Sequence, residues 1–282
     1  MADQSRPSDG IIRSVVKCQN PECGQEFEAY NLRLIREYIG GTVRYLCPQC
    51  RGDARLQADA VLREMQVETL ASQRAVWLGQ SGIPLKFRDK NLDTFDATGN
   101  EVRVKAFRAW LEGFPLDKPP WGYRSLLIVS RNNGVGKTHL VCALLRAIVE
   151  RFDKAGFENV PYRFWTANGA KTRLYDAQRF GSAETVAQVY EDFKTMWLLA
   201  LDDVGKERLS GADAATTYET YYNLINNRYN ANLPMVITSN LGLEPWDSGG
   251  MSLEDIIGIS GVSRLREMTG GVQYLIEGED RR

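Results

Sequence analysis

No apolar run in the sequence approaches the about 20 residues needed to cross a bilayer, which excludes a membrane-spanning protein. The N-terminus, MADQSRPSDG, has no apolar core of the kind a secretion signal requires, so the protein is expected to stay in the cytoplasm and away from membranes. Net charge is scarce too. A balance of −1 removes long-range attraction of nucleic acid by the whole protein and leaves such binding to a local patch. There is no internal repeat and no low-complexity tract. Histidine occurs once and cysteine five times, a usage that fits a reducing compartment in which four clustered thiols bind metal. What remains is ample for folding. With 43% hydrophobic residues in 282, the chain can build one domain of ordinary size with something smaller in front.

The densest information lies in residues 126–140, LLIVSRNNGVGKTHL. Four apolar residues from Leu126 to Val129 read as a strand covered on both faces, and apolar residues resume at helical spacing from Val141. The turn between them can cradle a polyphosphate. Backbone N–H groups of Asn133, Gly134, Val135 and Gly136 turn inward, the next helix offers its positive end through Thr138 and His139, and Lys137 reaches the outer phosphates. Thr138 can ligate Mg²⁺. The P-loop pattern GxxxxGK[ST] asks for glycine where this chain has Arg131, so the first turn must be made by a residue with a Cβ. His139 itself reads as helix packing or surface, with little to support a catalytic role.

The thiols come earlier. Cys18 and Cys23 in CQNPEC, with Cys47 and Cys50 in CPQC, present two pairs from tight turns that can surround one Zn²⁺ tetrahedrally. Four cysteines fill the coordination sphere, so a structural zinc ribbon is expected over residues 1–52, the first ten disordered. Residues 53–82 read as a helical linker, serving as a connector, a partner surface or an ordinary helix on the next domain. The main domain is expected at 83–282. Cys142 falls inside the helix after the P-loop and reads as a core thiol.

Within that domain a helix is predicted at 102–113, a strand at 161–167 and polar helices over 170–195, where Lys171, Arg173 and Arg179 give a modest basic cluster. A buried strand at 197–201 then delivers Asp202 and Asp203 to the carboxyl edge of a parallel sheet, a Walker B arrangement. Asp202 is placed to hold Mg²⁺ and Asp203 to orient an attacking water. A helix from 212 to about 229 precedes the strand MVIT, which ends at Ser239 and Asn240. Asn240 there is either a turn former or the polar amide, called sensor 1, that bonds the γ-phosphate or the lytic water. A last helix carries Ser263, Arg264, Leu265 and Arg266 before a closing strand at 272–276.

Taken in order, IPLKFRDKNLDTF, GVGKTHL, LLALDDVG, NNRYNANLPMVITSNL and SRLRE resemble the DnaC/DnaI-type AAA+ replicative helicase loaders, and share much of their pattern with IstB-type transposition ATPases. The resemblance covers about 83–282. It implies an α/β AAA+ fold with a parallel sheet flanked by helices, in which an arginine of one subunit reads ATP bound to its neighbour. Arg264 matches that arginine finger, and Arg282, or Arg281, a sensor 2 arginine. The chain ends soon after the last strand, with no room for the helical lid of many AAA+ proteins. Asp203 is one methylene shorter than the glutamate common at its place, so turnover is expected to be slow.

The function implied is that of an ATPase using ATP, Mg²⁺ and a structural Zn²⁺ to load a replicative DNA helicase, self-associating through the ATP site and gripping single-stranded DNA with residues such as Lys171, Arg173 and Arg179. The alternatives are a transposition helper ATPase and a zinc-ribbon DNA-binding regulator whose ATP site acts as a switch.

Overall fold

The computed structural model describes residues 14–29, 36–39, 42–151, 162–206, 212–247 and 249–280. The chain divides into two compact units, Met1–Thr69 and Leu70–Arg282.

The first unit holds two antiparallel hairpins, β1 (Ser14–Lys17) with β2 (Glu26–Ala29) and β3 (Arg36–Ile39) with β4 (Thr42–Tyr45). Helix α1 (Pro48–Gln80) follows and runs across the division between the units. It begins five residues before the linker helix read from sequence. Proline suits a first helical turn because its missing N–H has no partner there anyway. Cys50 thus sits in the opening turn of a helix.

In the second unit the end of α1 buries Trp77 completely, and Ser81 accepts a hydrogen bond from the N–H of Phe164 at 2.8 Å. A 3₁₀ turn (Leu85–Phe87) and α2 (Glu101–Gly113) lead to β5 (Leu126–Val129), α3 (Lys137–Arg151), β6 (Tyr162–Thr166), α4 (Ala167–Ala177), α5 (Val186–Thr195), β7 (Leu198–Val204), α6 (Ala212–Asn230), β8 (Met235–Ser239), α7 (Leu253–Thr269) and β9 (Tyr274–Leu275). The five strands from β5 onward form one parallel sheet in the order β6, β7, β8, β5, β9. Both faces are covered, as a parallel sheet requires. Leu126 and Ile128 point into a core with Phe107, Trp110 and the apolar side of α3. Leu127 and Val129 point the other way, into a core with residues of α4 to α7 such as Leu174, Phe193, Ile225 and Leu265. Each fully buried aliphatic side chain of this kind contributes about 1.5–3 kcal/mol.

The stretch read as polar helices over 170–195 is two helices. Thr166 caps α4 by accepting from the Gly169 N–H at 3.0 Å, and Thr185 with Gln188 forms a capping box on α5. Gly181, at φ +81°, lies in the break between them. Helix α7 is kinked at Gly258, where a Cβ would lie 2.3 Å from the Tyr218 ring.

Strand order decides what meets at the carboxyl edge. Because β8 lies between β5 and β7, the residues after β8 emerge between the phosphate loop after β5 and the acidic pair on β7.

Candidate nucleotide and metal sites

The turn from β5 into α3 has the geometry its glycines allow. Gly134 and Gly136 sit at φ +73° and +101°, and a Cβ on Gly136 would lie 2.6 Å from the Phe95 ring. Arg131 is not among the residues with positive φ, so the first turn needs no glycine. Its guanidinium lies 5.4 Å over the Trp246 ring, with Asp247 at 3.8 Å.

Lys137 is buried, and its Nζ donates to Ser130 Oγ at 2.7 Å and to Asn240 Oδ1. Asn240 in turn donates from Nδ2 to Asn133 Oδ1 at 2.7 Å. Thr138 Oγ1 donates to Asp202 Oδ2 at 2.8 Å. Five of the residues singled out in the sequence therefore fall into two hydrogen-bonded groups that meet at the adjacent Lys137 and Thr138: Asn133, Asn240 and Lys137 in one, Thr138 and Asp202 in the other. Asp203 adjoins the second, with its own carboxylate 3.0 Å from Lys206 Nζ. Burial raises the pKa of Asp202, and the Asp203 charge adds to this, against hydrogen bonds from Thr238 and Thr138 and the charge of Lys137. A carboxylate so placed gains from a bound cation. Two oxygen donors, Thr138 and Asp202, fit Mg²⁺, which takes few protein ligands alongside phosphate oxygens.

Several predicted residues lie elsewhere. The His139 ring packs edge-on to Phe95, with Nε2 at 3.1 Å from the Asn91 carbonyl oxygen, and burial lowers its pKa. Arg264 donates to the Ser260 carbonyl at 3.0 Å and lies over the rings of Tyr222 and Tyr229 at 5.2 and 5.7 Å, so its contacts are with α6 and its own helix rather than the phosphate loop. Arg282 and Arg281 lie outside the described residues.

The basic cluster is not an open patch. Arg173 is held by Glu184 at 2.6 Å and Asp192 at 2.5 Å, Lys171 donates to Thr217 Oγ1 at 2.8 Å, and Arg179 pairs with Asp176 at 3.3 Å. The acidic partners lie up to 19 residues away along the chain, so the charge count of α4 alone could not reveal them. The adjoining turn exposes Phe180 fully, and Tyr175 in the last turn of α4 is exposed too, with Arg179 over its ring at 5.1 Å.

Sequence reasoning missed Ser130, Phe95 and Thr238, which lie inside quoted motifs but act on the site through space.

The four cysteines of the first unit come together after β1 and β4. Their sulfurs all lie within 4.8 Å of one another, and Cys23 Sγ is 3.8 Å from Cys47 Sγ. A tetrahedron with Zn–S bonds of about 2.3 Å has an edge of about 3.8 Å. The N–H of Cys47 points at Cys18 Sγ (3.4 Å) and that of Cys50 at Cys47 Sγ (3.5 Å). Burial opposes the Cys18 thiolate, but the N–H groups of Cys47 and Asn20 outweigh it and bring the thiol down to about 7. The Cys50 thiol is pushed up to about 12: Asn20 favours its thiolate, while burial and the three neighbouring sulfurs oppose it more strongly. Thiols this close ionise only at one another's expense without a cation, so the donor set fits zinc.

Residues 124–255 match the family described as IstB-like ATP binding protein. That segment, just under half of the chain, is similar to the ATP-binding domain of that family. The crystal structure of the DnaC helicase loader is 28% identical to this chain, with a TM-score of 0.52, over 68% of this chain and 98% of that one. That of DnaI is 18% identical, TM-score 0.49, over 71% and 94%. AMPPCP-bound DnaA from Aquifex aeolicus is 22% identical, TM-score 0.47, over 67% and 50%. No curated protein sequence matches. The ATP-binding domain has the AAA+ type of P-loop fold, and its family match takes in the phosphate loop, the acidic strand and Asn240 while stopping short of Arg264. Among the described residues no helix is long and apolar enough to cross a membrane.

Proposed function

We propose that the protein is an ATP-dependent loader that passes a replicative DNA helicase onto single-stranded DNA. The observation that carries this reading is the likeness to the DnaC helicase loader over 98% of that chain. The pairs Lys137 with Asn240 and Thr138 with Asp202, side by side at the start of α3, give it chemistry.

Backbone N–H groups from Asn133 to His139 receive the phosphates of ATP, and Lys137 exchanges Ser130 and Asn240 for phosphate oxygen. Thr138 and Asp202 hold Mg²⁺, which neutralises charge on the phosphates. Asp203 orients the attacking water and Asn240 fixes it or the γ-phosphate. Arg264 of an adjacent copy reaches the same phosphate, so that hydrolysis follows assembly; Arg282 acts as the sensor 2 arginine. Residues 83–282 form the ATPase domain, with residues 1–52 as the zinc ribbon that meets the partner and 53–82 as the linker. For single-stranded DNA, Arg179 of the basic cluster with the exposed Tyr175 and Phe180 takes the place of Lys171 and Arg173, because exposed aromatic rings stack bases of any identity at about 1–3 kcal/mol each.

A second reading, a transposition helper, is favoured by the IstB-like match itself. The two separate on partner choice. Full-length protein with ATP is expected to form a stable complex with a purified replicative helicase and move it onto circular single-stranded DNA. Binding to a transposase alone would establish the second reading.

A further inference from the structure

We infer that Thr238 is a positioning residue of the ATP site, one hydroxyl that sets both the carboxylate of Asp202 and the backbone of Asp203; the inference rests on the ATP–Mg²⁺ reading above.

Strands β7 and β8 pair in regular register at Leu199 with Met235, Ala200 with Val236 and Leu201 with Ile237, and resume at Val204 with Ser239. Between these points two residues, Asp202 and Asp203, stand opposite one, Thr238. This is a β-bulge, which re-aims side chains and leaves one residue out of the ladder. Face alternation confirms it. Leu199 and Leu201 share a core with Val204, three residues on, whereas a regular strand would have turned Val204 to the other side.

The bulge is made at Asp203, whose φ is +63°. Among the described residues only Asn232 is another non-glycine in that region. A left-handed aspartate in a strand needs something to hold it. Thr238 Oγ1 accepts the Asp203 N–H at 2.8 Å, taking the place of the ladder bond the bulge removes. The same hydroxyl donates its single proton to Asp202 Oδ1 at 2.6 Å. Both bonds are out of water, since Thr238 is fully buried and Asp202 nearly so. The two oxygens of Asp202 then have different partners. Oδ2 is bonded to Thr138, the other cation-ligating residue, and can give that bond up for a metal ion, while Oδ1 stays fixed by Thr238. Valine would fill the same space in a strand as apolar as MVITS. Only the hydroxyl performs both tasks.

The test compares wild type, T238V and T238S in the full chain by affinity for a non-hydrolysable ATP analogue with and without Mg²⁺, alongside ATP turnover and melting temperature. Without Mg²⁺, T238V is expected to bind within about twofold of wild type, while its Mg²⁺-dependent gain falls about tenfold or more, the usual effect of losing a group that orients a metal ligand. T238S should recover most of that gain. A T238V protein with an undiminished Mg²⁺ gain, or a folded T238S no better than T238V, overturns the role of Thr238 alone. A wild-type protein with no Mg²⁺-dependent nucleotide binding overturns the ATP reading and this inference with it. Should T238V not fold, the valine is placed in D203G, where glycine takes the positive φ without strain; a further fall in Mg²⁺ gain relative to D203G is expected, and equality overturns the inference.

Discussion

Arg228 lies fully buried on α6, and its two terminal nitrogens donate to five backbone carbonyls, those of Phe193, Lys194, Met196, Trp197 and Pro234. Three of these close the end of α5, where carbonyl groups lack helical partners. Burial draws the guanidinium down to about 9, which still leaves it charged at neutral pH. Arg228→Met is therefore expected to destabilise the second unit by about 3 kcal/mol or more, since each hydrogen bond to a charged group contributes about 1.5–3 kcal/mol. A urea denaturation midpoint followed by Trp fluorescence measures this. Nothing in NNRYN announces such a role, because four of the five acceptors lie in residues 193–197, more than thirty residues earlier in the chain. GVGKT and the aspartate pair were legible for the opposite reason. There the chemistry depends on neighbours in sequence, and the covalent chain carries the geometry. Arg131 shows the limit of a motif read letter by letter: the first P-loop position has no positive φ to satisfy, so arginine fits it.

At the scale of elements, apolar runs placed the strands and helices of the second unit well, and the boundaries moved where the third dimension decides. Strand 197–201 continues through the aspartates to Val204 because a bulge at Asp203 lets it resume pairing with β8, and the closing strand shortens to Tyr274–Leu275 because those residues pair with β5. That short pairing has a consequence for the site. It directs the following tail across the phosphate loop, where Asn100 bonds both backbone groups of Glu277, Asn132 donates to the Gly278 carbonyl at 3.2 Å, and Asp280 Oδ1 lies 1.8 Å from where a Gly134 Cβ would be. A carboxylate beside a loop that receives a triphosphate opposes it electrostatically. Asp280→Asn is expected to tighten ATP binding by about fivefold at low salt, about 1 kcal/mol for one unit charge near the surface, and by less at high salt. Titration with a fluorescent ATP analogue at two ionic strengths checks both parts.

For the whole molecule, the donor sets of the two units suit different ligands. The buried core of the first among its described residues is Cys18, Leu46, Cys47 and Cys50, too small to hold hairpins without metal. Chelation is expected to abolish a zinc-dependent thermal transition and make four thiols reactive, while Cys142, fully buried beside the sheet with its thiol pushed up by burial, stays inert until the second unit melts. Counting thiols with a chromogenic reagent during chelation measures the split. The ATP site poses the complementary question of assembly. Lys137 is inside the phosphate loop of its own chain, whereas Arg264 is engaged by Ser260, Tyr222 and Tyr229 on α7 and α6, so the two residues serve one reaction if a second copy supplies the arginine. Lys137→Ala removes nucleotide binding but leaves an intact Arg264, and Arg264→Ala leaves a complete phosphate loop. Each variant alone is expected to hydrolyse little ATP. Mixed in equal amounts they can pair an intact loop with an intact arginine, and the rate should rise above the sum of the separate rates and increase with protein concentration. A mixture no faster than that sum would place Arg264 in the packing of α7 against α6, and outside the chemistry.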